Sequence, residues 1–205
     1  MINSPANKLN PSTYYSKIKN NNLFKNFNFI DYTEKEINSN FPLTCAVGKS
    51  SSSKPKVIEI INRKLSKKDK PLVIIGKGVT FDTGGVNIKP GASMRNMKKD
   101  MGGSAIAISL FLLANYFLKK TKIVLIAPIA ENAISSKSMR PGDVYSSVSG
   151  KSVEIAHTDA EGRLLLADAI EKASSYNPCM IIDFATLTGA ARVALGTEVP
   201  VFFSN

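Results

Sequence analysis

From residue 71 onward, short continuous apolar runs alternate with helix-forming stretches, and this alternation leaves few architectures open to the chain. Pro71-Leu-Val-Ile-Ile is apolar throughout, as in a strand buried on both faces, and it stops at the glycine-rich Gly76-Lys-Gly-Val-Thr-Phe-Asp-Thr-Gly-Gly. Gly102-Gly103 then opens an apolar helix reaching Leu118, and strands are predicted over 122–129 and 153–157. A helix over 164–174, a buried strand over 179–184 and the start of another over 199–203 complete the pattern. Strand and helix in turn predict an α/β fold, with a mostly parallel mixed sheet flanked by helices.

The preceding stretch has a different texture. Asn10 before Pro11 marks a helix start, and Thr33 stands three residues before Glu36 at capping-box spacing, so a short helix is expected over 34–38. Strands are expected over 27–32 and 57–61. Residues 1–70 carry 13 Lys and Arg against 5 Asp and Glu, which is +8 of the net +11. This excess reads as a solvated, Asn- and Lys-rich face rather than a groove for nucleic acid, because no DNA- or RNA-binding motif accompanies it. At 205 residues the chain is read as one domain, with a lead-in segment over 1–70 and an α/β core over 71–205.

Several classes are excluded directly. The one histidine, His157, rules out protease motifs that need a histidine pair. Cys45 and Cys179 are too few and too far apart for a disulfide scaffold or a zinc finger, and they suit a reducing, cytoplasmic setting. The start, MINSPANKLNPSTYY, lacks the apolar stretch of a secretory leader. The most apolar run, 104–118, includes Asn115 and falls short of the roughly 20 residues that cross a bilayer, so a buried helix of a soluble protein is expected. Gly48-Lys49-Ser50 and Gly150-Lys151-Ser152 end like a phosphate-binding loop, but Leu43 and Tyr145 occupy the positions where its first glycine belongs. Gly76-x-Gly78 lacks the third glycine of a dinucleotide-binding turn, since Phe81 stands there.

What remains is a set of acids beyond strand ends, where α/β sheets bind their ligands. Asp82 lies in the glycine-rich loop, Asp100 just before Gly102-Gly103, and Asp159 and Glu161 after the strand predicted to end at His157. Singly, each reads as a cap or a surface charge; Asp100 would suit a helix N-terminus. Asp159, Glu161 and Arg163 alternate, so an extended backbone would put them on one face. Together the acids would repel one another unless a cation neutralised them, and oxygen donors without cysteine or paired histidine suit Zn, Mn, Mg or Co.

The segments VIIGKGVTFDTGGVNIKPGASMRNMKKDMGGSAIA, RPGDV, HTDAEGRLLLADAI and IIDFATLTGAARVALG closely resemble the leucyl aminopeptidase family, the cytosol aminopeptidases. Thr158-Asp-Ala-Glu-Gly-Arg-Leu matches that family's signature, and Asn3-Ser-Pro-Ala-Asn-Lys-Leu-Asn-Pro is similar to the start of its catalytic domain. The resemblance implies a zinc-exopeptidase-like catalytic domain, truncated at its C-terminus by roughly a hundred residues. It further implies an enzyme that uses two divalent metal ions, Zn or Mn, to release N-terminal residues, leucine-like ones preferred, from peptides, usually as a hexamer. By position, Lys77, Asp82, Asp100, Asp159 and Glu161 match the family's metal ligands, with Asp82 and Glu161 bridging the ions. Lys89 and Arg163 match its catalytic basic residues, the arginine position being where the family holds a bicarbonate. Met97, Thr186 and Gly189 match the wall of the pocket for the substrate's first side chain; core packing is the competing reading for these three. His157 stands where the family usually has asparagine, and a structural substitution is expected there rather than a catalytic base. The alternative for the whole chain is a truncated, non-catalytic remnant that persists only as a binding partner.

Overall fold

The computed structural model describes residues 1–205. The elements run α1 (Pro11–Lys19), β1 (Asn28–Ile30), α2 (Glu34–Asn40), α3 (Pro42–Gly48), β2 (Lys56–Ile61), β3 (Leu72–Gly76), β4 (Gly78–Asp82) and α4 (Gly91–Met94). After these come α5 (Gly102–Phe117), β5 (Ile123–Asn132), β6 (Val144–Ser146), β7 (Ser152–Glu154), α6 (Gly162–Ser174), β8 (Met180–Phe184) and α7 (Ala190–Leu195). The main sheet has the order β1-β2-β5-β3-β8, with β4 also paired to β5. The β3–β5, β3–β8 and β4–β5 pairings are parallel, whereas β1–β2 and β2–β5 are antiparallel, so the sheet is mixed and mainly parallel, as the alternation predicts. The lead-in segment supplies β1 and β2 of this sheet and is therefore no separate lobe.

Helices cover both faces, and the strands show it by sending alternate residues to opposite cores. Ile58, Ile60, Ile74, Ile123 and Leu125 pack with α1 and α5 through Tyr14, Ile18, Ile108 and Phe111. Val57, Ile61, Val73, Ile75, Val124 and Ile126 pack on the opposite face with Ile37, Phe41, Leu166 and Ala169. A smaller third core joins α3, α6 and the end of the sheet through Leu43, Val47, Val79, Ala130 and Leu165. Gly103 lets α5 lie hard against β8, since a Cβ there would stand 2.2 Å from the Phe184 carbonyl oxygen.

Four expectations are corrected. The strand expected over 153–157 is the short β7, which pairs with β6 in a hairpin of its own and lies outside the main sheet. Residues 199–203 form no strand and are exposed, because no neighbouring strand offers them a ladder. Strand β8 is half-exposed rather than buried, being the edge of the sheet with β3 as its one partner. The apolar helix α5 buries one face only; Ile106, Leu113, Tyr116 and Phe117 face outward. The helical stretch Met97–Phe117 is long and apolar enough to cross a bilayer by length and composition, but half of it is buried inside the fold. Both cysteines are free thiols.

Candidate metal centre

The site is built at the ends of the central strands, where the break between two of them matters most. Strands β3 and β4 lie end to end along one side of β5, the first pairing with 123–126 and the second from Ile129 to Asn132. Lys77 is the residue in the break. Its N–H donates to the Phe184 carbonyl at 2.9 Å and its carbonyl accepts from Ser104 N–H at 2.8 Å, so β8 and α5 fix its backbone. The side chain runs past Gly162, where a Cβ would stand 2.5 Å from Lys77 Cε. Glycine at the start of α6 is thus what lets the lysine through.

Lys77 Nζ ends 2.8 Å from Asp100 Oδ2 and 3.0 Å from Glu161 Oε1, with all three residues buried. It also donates to the Thr186 carbonyl at 3.1 Å. Lys89 Nζ lies 3.0 Å from Asp82 Oδ2 and also contacts Asp159. Carboxylate oxygens of Asp82, Asp159 and Glu161 come within 4.8 Å of one another. Four acids and two lysines are therefore gathered in one cluster, drawn from the break between β3 and β4, the end of β4 and the loop after it, the approach to α5, the loop after β7 and the start of α6. Each lysine is shared between two acids, so four carboxyl groups have only two ammonium groups among them.

The electrostatics follow from burial and crowding. Burial pushes the Glu161 carboxyl up to about 7, and Asp82 and Asp100 add to the shift against the pull of Lys77. Burial likewise raises Asp100, with Lys77 opposing. For Lys77 burial works downward, but Glu161 and Asp100 outweigh it and hold the ammonium above its ordinary value. Lys89 is held high in the same way by Asp159 and Asp82, again against burial. Glu161 Oε2 is buried with no hydrogen-bond partner, and the buried oxygens Asp100 Oδ2 and Asp159 Oδ1 have a lysine ammonium as their one neighbour of opposite charge. Buried oxygens left this way are the donor set of a hard or borderline divalent cation, so the residues fit such an ion.

The profile of the cytosol aminopeptidase family's catalytic domain matches residues 1–205. The chain belongs to that family. It is 39% identical over 206 residues to a probable cytosol aminopeptidase of Mycobacterium tuberculosis H37Rv, covering 98% of this chain and 40% of that one. The probable cytosol aminopeptidase of Corynebacterium glutamicum is 44% identical over 198 residues, covering 96% and 39%. Among solved structures, a cytosol aminopeptidase from Coxiella burnetii superposes with a TM-score of 0.84 at 41% identity, over 95% of this chain and 42% of that one. The bottromycin maturation enzyme BotP, in complex with Mn, gives 0.85 at 33% identity, over 96% and 44%. The chain spans about 40% of the length of the curated relatives it matches.

The remaining sequence-selected residues fall in different places. Thr186 touches the cluster directly, its hydroxyl donating to Asp100 Oδ1 at 2.7 Å. Met97 is half-buried in the single turn before Asp100. Gly189 precedes α7 with nothing within 4 Å of where a Cβ would sit. Arg163 is exposed in the first turn of α6. Asp159 and Glu161 converge as expected, but Arg163 does not share an extended face with them, because the backbone turns helical at Glu161, φ −68° and ψ −32°. His157 is exposed, and its Nδ1 accepts the Asp159 N–H at 3.2 Å, so it shapes the loop that carries that acid.

Three polar residues next to the cluster escaped the sequence reading. Asn132 donates to Asp82, Thr158 donates to the Gly84 carbonyl, and Asn87 accepts from the Thr158 N–H. One signal for the first lay in the sequence: the apolar run of β5 ends in Ala130-Glu-Asn, an amide at the end of a buried strand.

Proposed function

We propose that this chain carries the metal-binding and catalytic groups of a two-metal aminopeptidase that releases N-terminal residues, leucine-like ones preferred, from peptides. The observation that carries the reading is the convergence of buried Asp82, Asp100 and Glu161 and half-buried Asp159 around Lys77 and Lys89, four acids sharing two lysines. Lys77, Asp82, Asp100, Asp159 and Glu161 are the residues that would hold the ions, and Asp82 and Glu161 are the two that the family resemblance would have serve both. Lys77, an ammonium among these acids without metal, would have to act there as a neutral amine, which adjacent dications make possible by disfavouring its protonated form. Two divalent ions supply Lewis-acid polarisation of the peptide carbonyl and activation of water. Zn or Mn is favoured by the donor set, and Mn also by the structural neighbour described in complex with it.

Lys89 is assigned to hold its ammonium near the developing oxyanion, which it can do once cations take over the charge of Asp82 and Asp159. Arg163, exposed and two residues beyond Glu161, is assigned to hold a bicarbonate that moves protons. Met97, Thr186 and Gly189 are assigned to the pocket for the substrate's first side chain. Thr186 serves a second end by orienting Asp100. The cytoplasm and a homo-hexamer are the setting and assembly that membership of this family favours.

The test is metal content by elemental analysis beside hydrolysis of a leucine chromogenic amide, with and without Mn or Zn. Two ions per chain and metal-dependent release are expected. Two bound ions without release, or no stoichiometric metal at all, would overturn the catalytic reading and favour the non-catalytic alternative.

A further inference from the structure

We propose that Asn132 is a positioning residue: from the last position of β5 its amide ties the Asp82 carboxylate to the Thr158 carbonyl and fixes the pose in which the two acid-bearing loops meet a divalent cation. The inference rests on the metal reading above. Asn132 is 2% exposed, so its polar atoms must find partners within the protein. Its Nδ2 donates to Asp82 Oδ1 at 2.8 Å and to the Thr158 carbonyl at 3.1 Å. Both partners only accept, so the amide can face them with its NH2 end alone. Thr158 is the residue immediately before Asp159, and Asp82 ends β4. One side chain thus spans the two loops.

The rest of the network tightens the same junction. Asp82 Oδ1 also accepts the Gly84 N–H at 2.9 Å. Two donors occupy Oδ1, which leaves Oδ2 as the oxygen turned to Lys89 and open to a cation. The Asn132 carbonyl accepts from Thr83 twice, from N–H at 3.0 Å and from the hydroxyl at 2.7 Å. On the other loop, Thr158 Oγ1 donates to the Gly84 carbonyl at 2.6 Å and accepts the Asn87 N–H at 2.9 Å. An amide performs this role without adding charge to an already crowded set of acids. A carboxylate whose oxygens are assigned in advance binds an ion without first reorganising, and losing such an outer partner typically weakens metal affinity by roughly 10–100-fold.

The opposite end of the same strand supplies the control. Asn62 is also buried, accepts the N–H of Ile123 at the start of β5, and donates to the Thr121 carbonyl at 3.0 Å. It holds the fold together far from the acids. The experiment is titration of the purified chain with Mn2+ by calorimetry, beside urea unfolding of chelated protein. Asn132→Ala should weaken Mn2+ binding by roughly 10–100-fold, while Asn62→Ala loses unfolding stability yet binds Mn2+ within about threefold of wild type. Asn132→Thr, matched in volume and suited to a strand, should also weaken binding and serves if the alanine variant does not fold. Unchanged Mn2+ affinity in the Asn132 variants, or an equal loss in Asn62→Ala, overturns the assignment. A wild-type chain that takes up no Mn2+ overturns the metal reading, and this inference with it.

Discussion

Lys89 is the residue on which binding and chemistry separate. Its ammonium lies between Asp82 and Asp159, the ground a divalent ion would claim, so lysine and ion compete for the same oxygens. Removing the lysine removes the competitor. Lys89→Ala should therefore bind Mn2+ at least as tightly as wild type, while kcat falls by roughly 10²–10³ if its role is that of an oxyanion donor. A variant that loses its metals, or keeps wild-type kcat, would refute the role. Asp82→Ala should behave in the opposite way, with metal stoichiometry and activity falling together. His157 gives a third contrast. The one hydrogen bond of its imidazole is acceptance of the Asp159 N–H, which an asparagine oxygen can reproduce in an Asx turn. His157→Asn should hold kcat within about threefold, since the turn survives; a far larger loss would mean that the imidazole takes part in proton transfer.

Among the elements, α3 shows how one buried side chain ties the fold to the site. Its N-cap residue, Phe41, offers no side-chain acceptor, and Asp168 on α6 supplies one from 124 residues away. Asp168 Oδ2 accepts Thr44 N–H at 2.7 Å and Thr44 hydroxyl at 2.9 Å. Asp168→Ala strands those donors and should lower unfolding stability by about 1–3 kcal/mol, read by urea denaturation. Burial pushes the Asp168 carboxyl up to about 6 from an ordinary 3.8, with Thr44 opposing. The folded state thus holds that proton more tightly than the unfolded one, so the contribution is full below 3.8 and is lost as pH rises through about 6. The stability of wild type relative to Asp168→Asn should fall by on the order of 2–3 kcal/mol between pH 4 and 7. Parallel curves would refute the assignment. Remote capping of this kind is also why α3 escaped the sequence reading, whereas α1 and α2, capped locally by Asn10 and Thr33, were found. Strand β4 escaped for a different reason: its glycines read as a loop, but pairing with β5 overrides local preference. The acids were legible because Asp82, Asp159 and Glu161 come soon after predicted strands and Asp100 just before the Gly102-Gly103 that opens the apolar helix. Their partners were not, since Asn132 and Thr158 acquire meaning only when β5 and the loop after β7 meet in space.

At the scale of the whole molecule, the sheet and the acid cluster are thermodynamically coupled. The cluster is held by β4, the approach to α5, the loop after β7 and the start of α6, so unfolding any of them dismantles it. The net charge of +11 does not relieve the local crowding, because most of the excess sits in residues 1–70 while in the cluster four acids share two lysines. An ion that binds this folded pocket and not the unfolded chain must stabilise the whole domain. At a free concentration of 100 times Kd the gain for one site is about 2.7 kcal/mol. For a domain of this length each kcal/mol moves Tm by roughly 2–4 °C, so saturating Mn2+ should raise Tm by roughly 5–10 °C over chelated protein. The chelated protein should still melt cooperatively, since Lys77 and Lys89 bridge the four acids and the cores lie elsewhere. Scanning calorimetry over a series of Mn2+ concentrations checks both statements. A Tm that ignores Mn2+ would place the ion outside the folded core, and a chelated chain with no transition would show that the two lysines cannot hold the acids by themselves.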